Sequence, residues 1–416
     1  MSIIRPFRAV RPTSELAEKV AALPYDVMDS AEARIMVEGN PYSFLHVDKA
    51  EIDLDPAIDL YDTRVYEKAR DNLNQMIADG VFVQEDTACF YIYKQVMNGR
   101  AQTGIVACAS IDDYLNNVIK KHELTRADKE QDRINHVDYC DANTGPIFLT
   151  YRAKETINKI VNDTMSQKAP VYDFVSEDGI GHTVWVLDDE KDIATISAEF
   201  AGISDLYIAD GHHRSASAVR VGAKRRQANP DYNGEEEFNY FLSVIFPDEQ
   251  LYIMDYNRIV SDLNGNSVEE FLDKVQEKFI ISSYDGTDPL KPEKKHTFGM
   301  YLNGKWMLLE AKDGSYDNTD PVARLDVSIL QNNLLHPILG IGDPRTDKRI
   351  DFVGGIRGLQ TLADRVDDGS MAVAFSMYPT TMDDLMDIAD AGAIMPPKST
   401  WFEPKLRSGL FIHLLK

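Results

Sequence analysis

Five consecutive residues, Asp210-Gly211-His212-His213-Arg214, hold the densest chemistry in the sequence. They follow a short apolar run, Leu206-Tyr207-Ile208-Ala209, and precede a helical pattern from Arg214 to Ala228. They therefore stand where a strand ends and a helix begins. The first turn of a helix offers unpaired N–H groups and the positive end of a dipole, which together attract anions. Gly211 has no Cβ, so backbone there can approach a ligand closely. His212 and His213 add imidazole donors, and Arg214 adds a guanidinium able to grip two phosphate oxygens at once. Asp210 would accept a proton from a substrate hydroxyl or hold a metal-bound water. The run reads as a cradle for phosphate. Two plainer readings stand beside it: polar residues that only cap a helix, and a zinc site, for which no third ligand stands at a familiar spacing.

Two further clusters are candidates for the same pocket. Lys121-His122-Glu123-Leu124-Thr125, with Asp132-Arg133, alternates charges without an apolar face. Glu123 would serve as general base or magnesium ligand, while His122, Thr125 and Arg133 would contact phosphate or substrate. A surface helix start with local ion pairs explains the same residues. Met395-Pro396-Pro397-Lys398-Ser399-Thr400, followed by Pro404-Lys405, ends like a Walker A loop but lacks its glycines. Lys398 and Lys405 would hold an anion from a proline-stiffened loop, unless the loop is an ordinary rigid connection. Leu23-Pro24-Tyr25-Asp26-Val27 would set Tyr25 and Asp26 at a pocket, but its local chemistry is uninformative. Asp210, Glu123 and His213 are thus the candidate catalytic groups.

The elements that must position these residues are legible in part. Val65, Ala69, Leu73 and Ile77 recur every four residues between Asp62 and Ala78, with Gly80 just past the end, which predicts a helix. Cys89–Val96 and Thr103–Ser110 are strand-like and meet around Asn98-Gly99, a pair that readily takes the positive φ angles of a type I′ hairpin. Asn303-Gly304 predicts a second hairpin, between Thr297–Leu302 and Lys305–Leu309. Ile147–Tyr151 and Thr183–Leu187 are further strands. The strand at Leu206, the helix from Arg214 and a buried strand over Phe241–Phe246 make a β-α-β unit, right-handed if its strands are parallel. Met371–Met377 is a strand, Thr380 or Thr381 caps a helix through Asp390, and Gly392 closes it. The fold class is α/β or α+β with mixed sheets. A weakly marked boundary separates residues 1–250 from 251–416, and the two regions are also compatible with one packed unit.

Composition narrows the function. The 416 residues, 44% hydrophobic and 27% charged, can bury a substantial core. No run approaches the roughly 18 apolar residues of a membrane helix, and the N-terminus lacks the apolar core of a signal peptide. Three cysteines, Cys89, Cys108 and Cys140, are an odd number without CxxC spacing. They read as buried thiols in a reducing cytoplasm. A net charge of −24, from 68 acidic and 44 basic residues, repels polyanions, so nucleic acid is not an expected partner. The one basic cluster, Lys224-Arg225-Arg226, ends a predicted helix, where cations meet the helix dipole favourably.

Taken together, Pro24-Tyr25-Asp26-Val27, Asn40-Pro41, Lys121 to Thr125 with Asp132-Arg133, Ile208 to Arg214, and the run from Met395 to Lys405 resemble the bacterial and archaeal family catalogued as domain of unknown function 1015. The pieces span nearly the whole chain in the expected order. Asp-Gly-His-His-Arg is also similar to the phosphate-gripping motif of the ParB/sulfiredoxin superfamily, whose relatives include kinases acting on free L-serine. That resemblance implies a ParB/sulfiredoxin-like nucleotide-binding core, with Asp210 through Arg214 on nucleotide phosphates and Asp210 or Glu123 as base for the acceptor hydroxyl. His212 stands where sulfiredoxin needs cysteine, which disfavours peroxiredoxin repair, and no helix-turn-helix like that of ParB is evident.

The expected function is phosphoryl transfer from ATP or ADP to a small hydroxylated metabolite, free L-serine by resemblance, with Mg2+ bridging the phosphates. A nucleotide-binding regulatory protein would need neither carboxylate. A metal-dependent hydrolase would centre on His212 and His213. Metal ligands and oligomeric state carry no signal in the sequence.

Overall fold

A computed structural model describes residues 1–416. The chain forms two compact units, one made of Met1–Leu251 with Pro404–Lys416, the other of Tyr252–Glu403. Both are mixtures of helix and sheet, and the fold class is mixed α/β with several sheets. No helix is long and apolar enough to cross a membrane.

The first unit is built on nine strands: β1 (Ile4–Arg5), β2 (Phe90–Met97), β3 (Arg100–Ser110), β4 (Ile119–Lys120), β5 (Ile147–Tyr151), β6 (Tyr172–Val175), β7 (Gly181–Leu187), β8 (Leu206–Asp210) and β9 (Tyr240–Pro247). Their order is β4-β8-β5-β9-β3-β2-β7-β6, with β1 also pairing β3. The β2–β3 hairpin turns on Asn98 at φ 52° and Gly99 at φ 78°, the two positive angles a type I′ turn demands. Every residue of β5 is buried, as expected for a central strand covered on both faces. Ile92, Ile105, Leu149, Ile208 and Ile245 from the sheet join Ile157, Ile196 and Phe200 from helices in one core.

The strand–helix–strand stretch departs from the parallel arrangement. β8 runs antiparallel to β5, whereas β9 runs parallel to it, so β8 and β9 flank β5 in opposite senses. The crossover rule for parallel strands therefore does not apply here. Between them lies helix α3 (His212–Ala228), packed on α2 (Ala127–Cys140); α1 (Thr63–Ala78) packs on α2 in turn. Asp62 caps α1 by accepting from the Arg64 N–H.

Close packing and charge pairing hold α3. A Cβ at Gly222 would lie 2.4 Å from the Phe238 carbonyl oxygen and 2.8 Å from Ile111, so glycine is needed there. The cluster Lys224-Arg225-Arg226 is engaged in ion pairs: Lys224 with Asp138 at 2.6 Å, Arg225 with Asp138 and Asp141, and Arg226 with Asp112 at 2.6 Å. It ties α3 to its neighbours. All three cysteines are free and buried.

The end of the chain is stitched into this unit. Val10 and Ile412 exchange backbone hydrogen bonds, Ala22 and Ser408 do likewise, and His413–Leu414 pairs with Ala142–Asn143. This return brings Lys405 into the first unit.

The second unit contains an antiparallel sheet of β10 (Tyr256–Val260), β11 (Phe279–Ser283), β12 (Thr297–Leu302), β13 (Lys305–Ala311), β14 (Ile350–Gly354) and β15 (Val373–Met377), in the order β11-β13-β12-β15-β10-β14. Asn303 and Gly304 turn the β12–β13 hairpin at φ 50° and 76°. Thr381 and Asp384 form a capping box at the start of α4 (Met382–Asp390), so Thr381 is the cap. Gly392, at φ 64°, follows its end.

Candidate functional site

β8 delivers Asp210 through an irregularity in pairing: the register with β5 shifts between Ile208 and Asp210. Bulges of this kind re-aim a side chain at the end of a strand. Gly211 then takes φ 95°, ψ 34°, a left-handed conformation that glycine adopts without steric cost. It is the N-cap of α3, and no side chain caps that helix. The first-turn amides are thus not occupied by a capping side chain, and the run is not a simple cap. A Cβ at Gly211 would sit 3.2 Å from Arg214 Nε and Nη2, so the guanidinium lies directly against the glycine.

Arg214 donates from Nη1 to the Pro146 carbonyl at 2.6 Å, while its buried Nε has no partner. Burial opposes its charge, but Asp26, Asp210, Tyr25 and Asp48 outweigh that and hold it firmly protonated. Asp210 accepts from the Gly211 N–H at 2.8 Å and from Lys405 Nζ at 3.3 Å. Burial pushes the Asp210 carboxyl up, yet Lys405 and Arg214 together hold it well below the usual carboxylate range. Asp210 is therefore a permanent anion and a weak base, better suited to orienting cations than to taking a proton.

Burial decides the charge of the histidines. His212 is 5% exposed and packs edge-on against His122, itself 2% exposed, with ring centroids 4.5 Å apart. Burial brings His122 down to about 4. Burial and the adjoining His122 hold His212 well below the ordinary imidazole range. Both rings are neutral at pH 7 and form a wall; neither supplies positive charge. Glu123, 54% exposed at its side chain, approaches His212 Nδ1 only to 3.8 Å. His213 is half-buried and accepts the Arg126 backbone N–H at Nε2, 3.1 Å away, so its proton sits on Nδ1. Burial lowers its pKa too, against the pull of Asp26.

A pH dependence follows. His122, His212 and His182, the last brought by burial to about 3, bind protons less readily folded than unfolded. Their stabilising neutrality is complete above about pH 6.5, the unfolded pKa, and is lost as pH falls toward 4. Each contributes at most about 1.4 kcal/mol per pH unit in that window. In thermal unfolding from pH 7.5 to 4.5, His122→Asn is expected to lose stability more gradually on acidification than the wild type. Parallel curves would contradict the neutral assignment.

Arg133 stacks its guanidinium 4.0 Å over the Tyr25 ring and pairs with Asp132 at 2.8 Å. Arg133 and Arg214 line the same small cavity, together with Tyr25, Asp48, His136 and Thr144. The structure thus brings Arg133 and Arg214 together, as it brings His122, Glu123 and Lys405 to the turn. Thr125 precedes Arg126, whose N–H meets His213, and its own hydroxyl donates to Glu130 at 2.8 Å. Lys398 belongs to the second unit, where its carbonyl accepts from Arg258 at 2.9 Å and its ammonium lies 5.5 Å from the Tyr256 ring centroid. Asp48, His136 and Thr144 escape sequence reasoning. Thr144 donates to Asp48 at 2.7 Å and His136 Nε2 meets the Val47 carbonyl at 3.1 Å, but no local motif marks any of the three.

The cavity has a volume of about 30 Å³, enough for one or two waters. No three His, Cys, Asp or Glu side chains are grouped to hold a metal ion.

The family model described as "Protein of unknown function (DUF1015)" matches residues 4–328. No curated protein matches the chain. Among solved structures, a conserved hypothetical protein from Pyrococcus furiosus is 13% identical, covering 74% of this chain and 95% of its own, at TM-score 0.35. A free serine kinase in complex with AMP is 11% identical, with coverages of 74% and 91% and TM-score 0.37. SbnI with a C-terminal truncation, from Staphylococcus aureus, is 11% identical, with coverages of 74% and 87% and TM-score 0.39. Likeness at this level transfers neither ligand nor activity to the chain.

Proposed function

This chain belongs to the DUF1015 family, described as proteins of unknown function, and we propose that it is a nucleotide-dependent kinase for a small hydroxylated metabolite, with free L-serine the first acceptor to test. The observation that carries the reading is the uncapped start of α3 with the Arg214 guanidinium packed against Gly211, its Nε unpartnered. Backbone N–H groups there receive nucleotide phosphate, and Arg214 supplies the charge that neutral His212 and His122 do not. Lys405 adds a second cation, 3.3 Å from Asp210. Phosphoryl transfer is largely positioning and charge neutralisation, so such parts suffice for most of the catalysis.

Magnesium is commonly held by nucleotide phosphates and only one or two carboxylates. Asp210 would meet that need without a three-ligand cluster, and the ion would neutralise phosphate charge. Glu123, more exposed than Asp210, takes the role of base for the acceptor hydroxyl. His213 offers Nδ1–H to substrate or phosphate. The cavity beside Arg214, about 30 Å³, is smaller than a nucleotide, so binding entails rearrangement of its lining.

Phosphorus NMR of the protein with Mg2+, L-serine and either ATP or ADP tests the reading. A phosphoserine resonance with one of the two donors is the expected result. Inorganic phosphate released regardless of acceptor would replace the kinase by a hydrolase, and tight nucleotide binding without turnover would replace it by a regulator.

A further inference from the structure

The second unit contains a cavity of its own, about 320 Å³ in volume, within the range of small-molecule sites. Two cations and four carboxylates line it. Lys295 is matched by Asp384 at 2.7 Å and Arg324 by Asp387 at 2.6 Å. Asp326 and Asp383 are in an ion pair with neither cation.

Asp326 is the unusual one. It is 8% exposed, and its Oδ1 accepts the His296 N–H at 2.9 Å while its Oδ2 has no partner at all. A buried acceptor without a donor is unfavourable and asks for one. Burial pushes this carboxyl up to about 7 against the His296 N–H, with Asp384 adding to the rise and Lys295 opposing it. Beside it His296 holds φ 66°, a conformation uncommon outside glycine, with its ring against Tyr316 at 4.5 Å. Strained backbone of this kind is concentrated at ligand clamps.

We propose that this cavity binds a small primary-ammonium compound, whose N–H donors are received by Asp326 and Asp383. An anion would meet four carboxylates against two cations that are already matched. A bare metal ion is disfavoured by geometry, because the carboxylates are not grouped for coordination. An ammonium group brings three donors on one compact charge, and the Tyr378 ring in the cavity wall suits a cation. The site is separate in chemistry from the phosphate cradle and does not depend on the kinase reading.

Titration calorimetry of the full-length protein with 1,4-diaminobutane at pH 8 tests it. Saturable binding is expected, weakened about tenfold or more by Asp326→Asn and by Asp383→Asn, the loss of one charged hydrogen bond each. Asparagine keeps the acceptor for the His296 N–H, and Asp383 is exposed at the start of α4, so the second variant remains informative if the first is unstable. Absence of saturable heat at millimolar diamine would overturn the proposal. So would equal affinity for succinate or inorganic phosphate. Binding unaltered in both variants would reduce the effect to attraction by the overall charge of −24 and would also overturn it.

Discussion

Arg214→Lys is expected to weaken MgADP and MgATP binding about 10²-fold while leaving the protein folded. The guanidinium already spends Nη1 on the Pro146 carbonyl at 2.6 Å and keeps its buried Nε without a partner. One planar group can therefore anchor the turn and face a ligand at once. A lysine ammonium preserves the charge but not the fork, and reaches either the carbonyl or the phosphate. Losing one or two charge-assisted hydrogen bonds costs about 1.5–3 kcal/mol each, which converts to about tenfold to a hundredfold per bond. Calorimetry with MgADP measures the affinity, and thermal unfolding checks that the fold persists. Undiminished affinity in this variant would remove the phosphate cradle from the start of α3 and the kinase reading with it.

The second large effect separates the two carboxylates. Under the kinase reading, Glu123→Gln lowers kcat about 10²- to 10⁴-fold, the usual contribution of a general base, with nucleotide affinity unchanged. Asp210→Asn behaves differently. Asp210 is an anion held by Lys405 and Arg214 and by the Gly211 N–H. Its neutralisation upsets a semi-buried charge balance, so both Tm and nucleotide affinity fall together. Single-turnover kinetics and MgADP titration on both variants distinguish the roles. If Asp210→Asn abolishes transfer with affinity intact while Glu123→Gln is silent, the base is Asp210 and Glu123 is peripheral.

The same pair of residues illustrates why part of the site is legible from sequence and part is not. That a polar run directly after Leu206-Tyr207-Ile208-Ala209 opens a helix follows from local pattern, and α3 begins at His212. That Asp210 is a poor base depends on Lys405, 195 residues further along the chain. Its identity as a partner rests on the return of Pro404–Lys416 to the first unit, for which no local pattern exists. Similarly, two adjacent histidines look like two cationic donors until burial is known. Desolvation against His122 then makes His212 neutral, a property of the packed state and not of the residue type.

What the amino-acid sequence determined alone is the set of features set by near neighbours. Asn98-Gly99 and Asn303-Gly304 turn hairpins because both pairs accept positive φ. The four-residue apolar period makes the helix over Thr63–Ala78, and Thr381 with Asp384 caps the one ending at Asp390. Tertiary structure alone decided that β8 and β9 lie on opposite sides of β5 and in opposite senses. It also decided that Thr125 turns to Glu130 and that Asp48, His136 and Thr144 share a cavity with Arg214. The physical reason is range: backbone sterics and side-chain periodicity act over a few residues, whereas strand order, desolvation and charge pairing are set by whichever distant segments the global packing brings into contact.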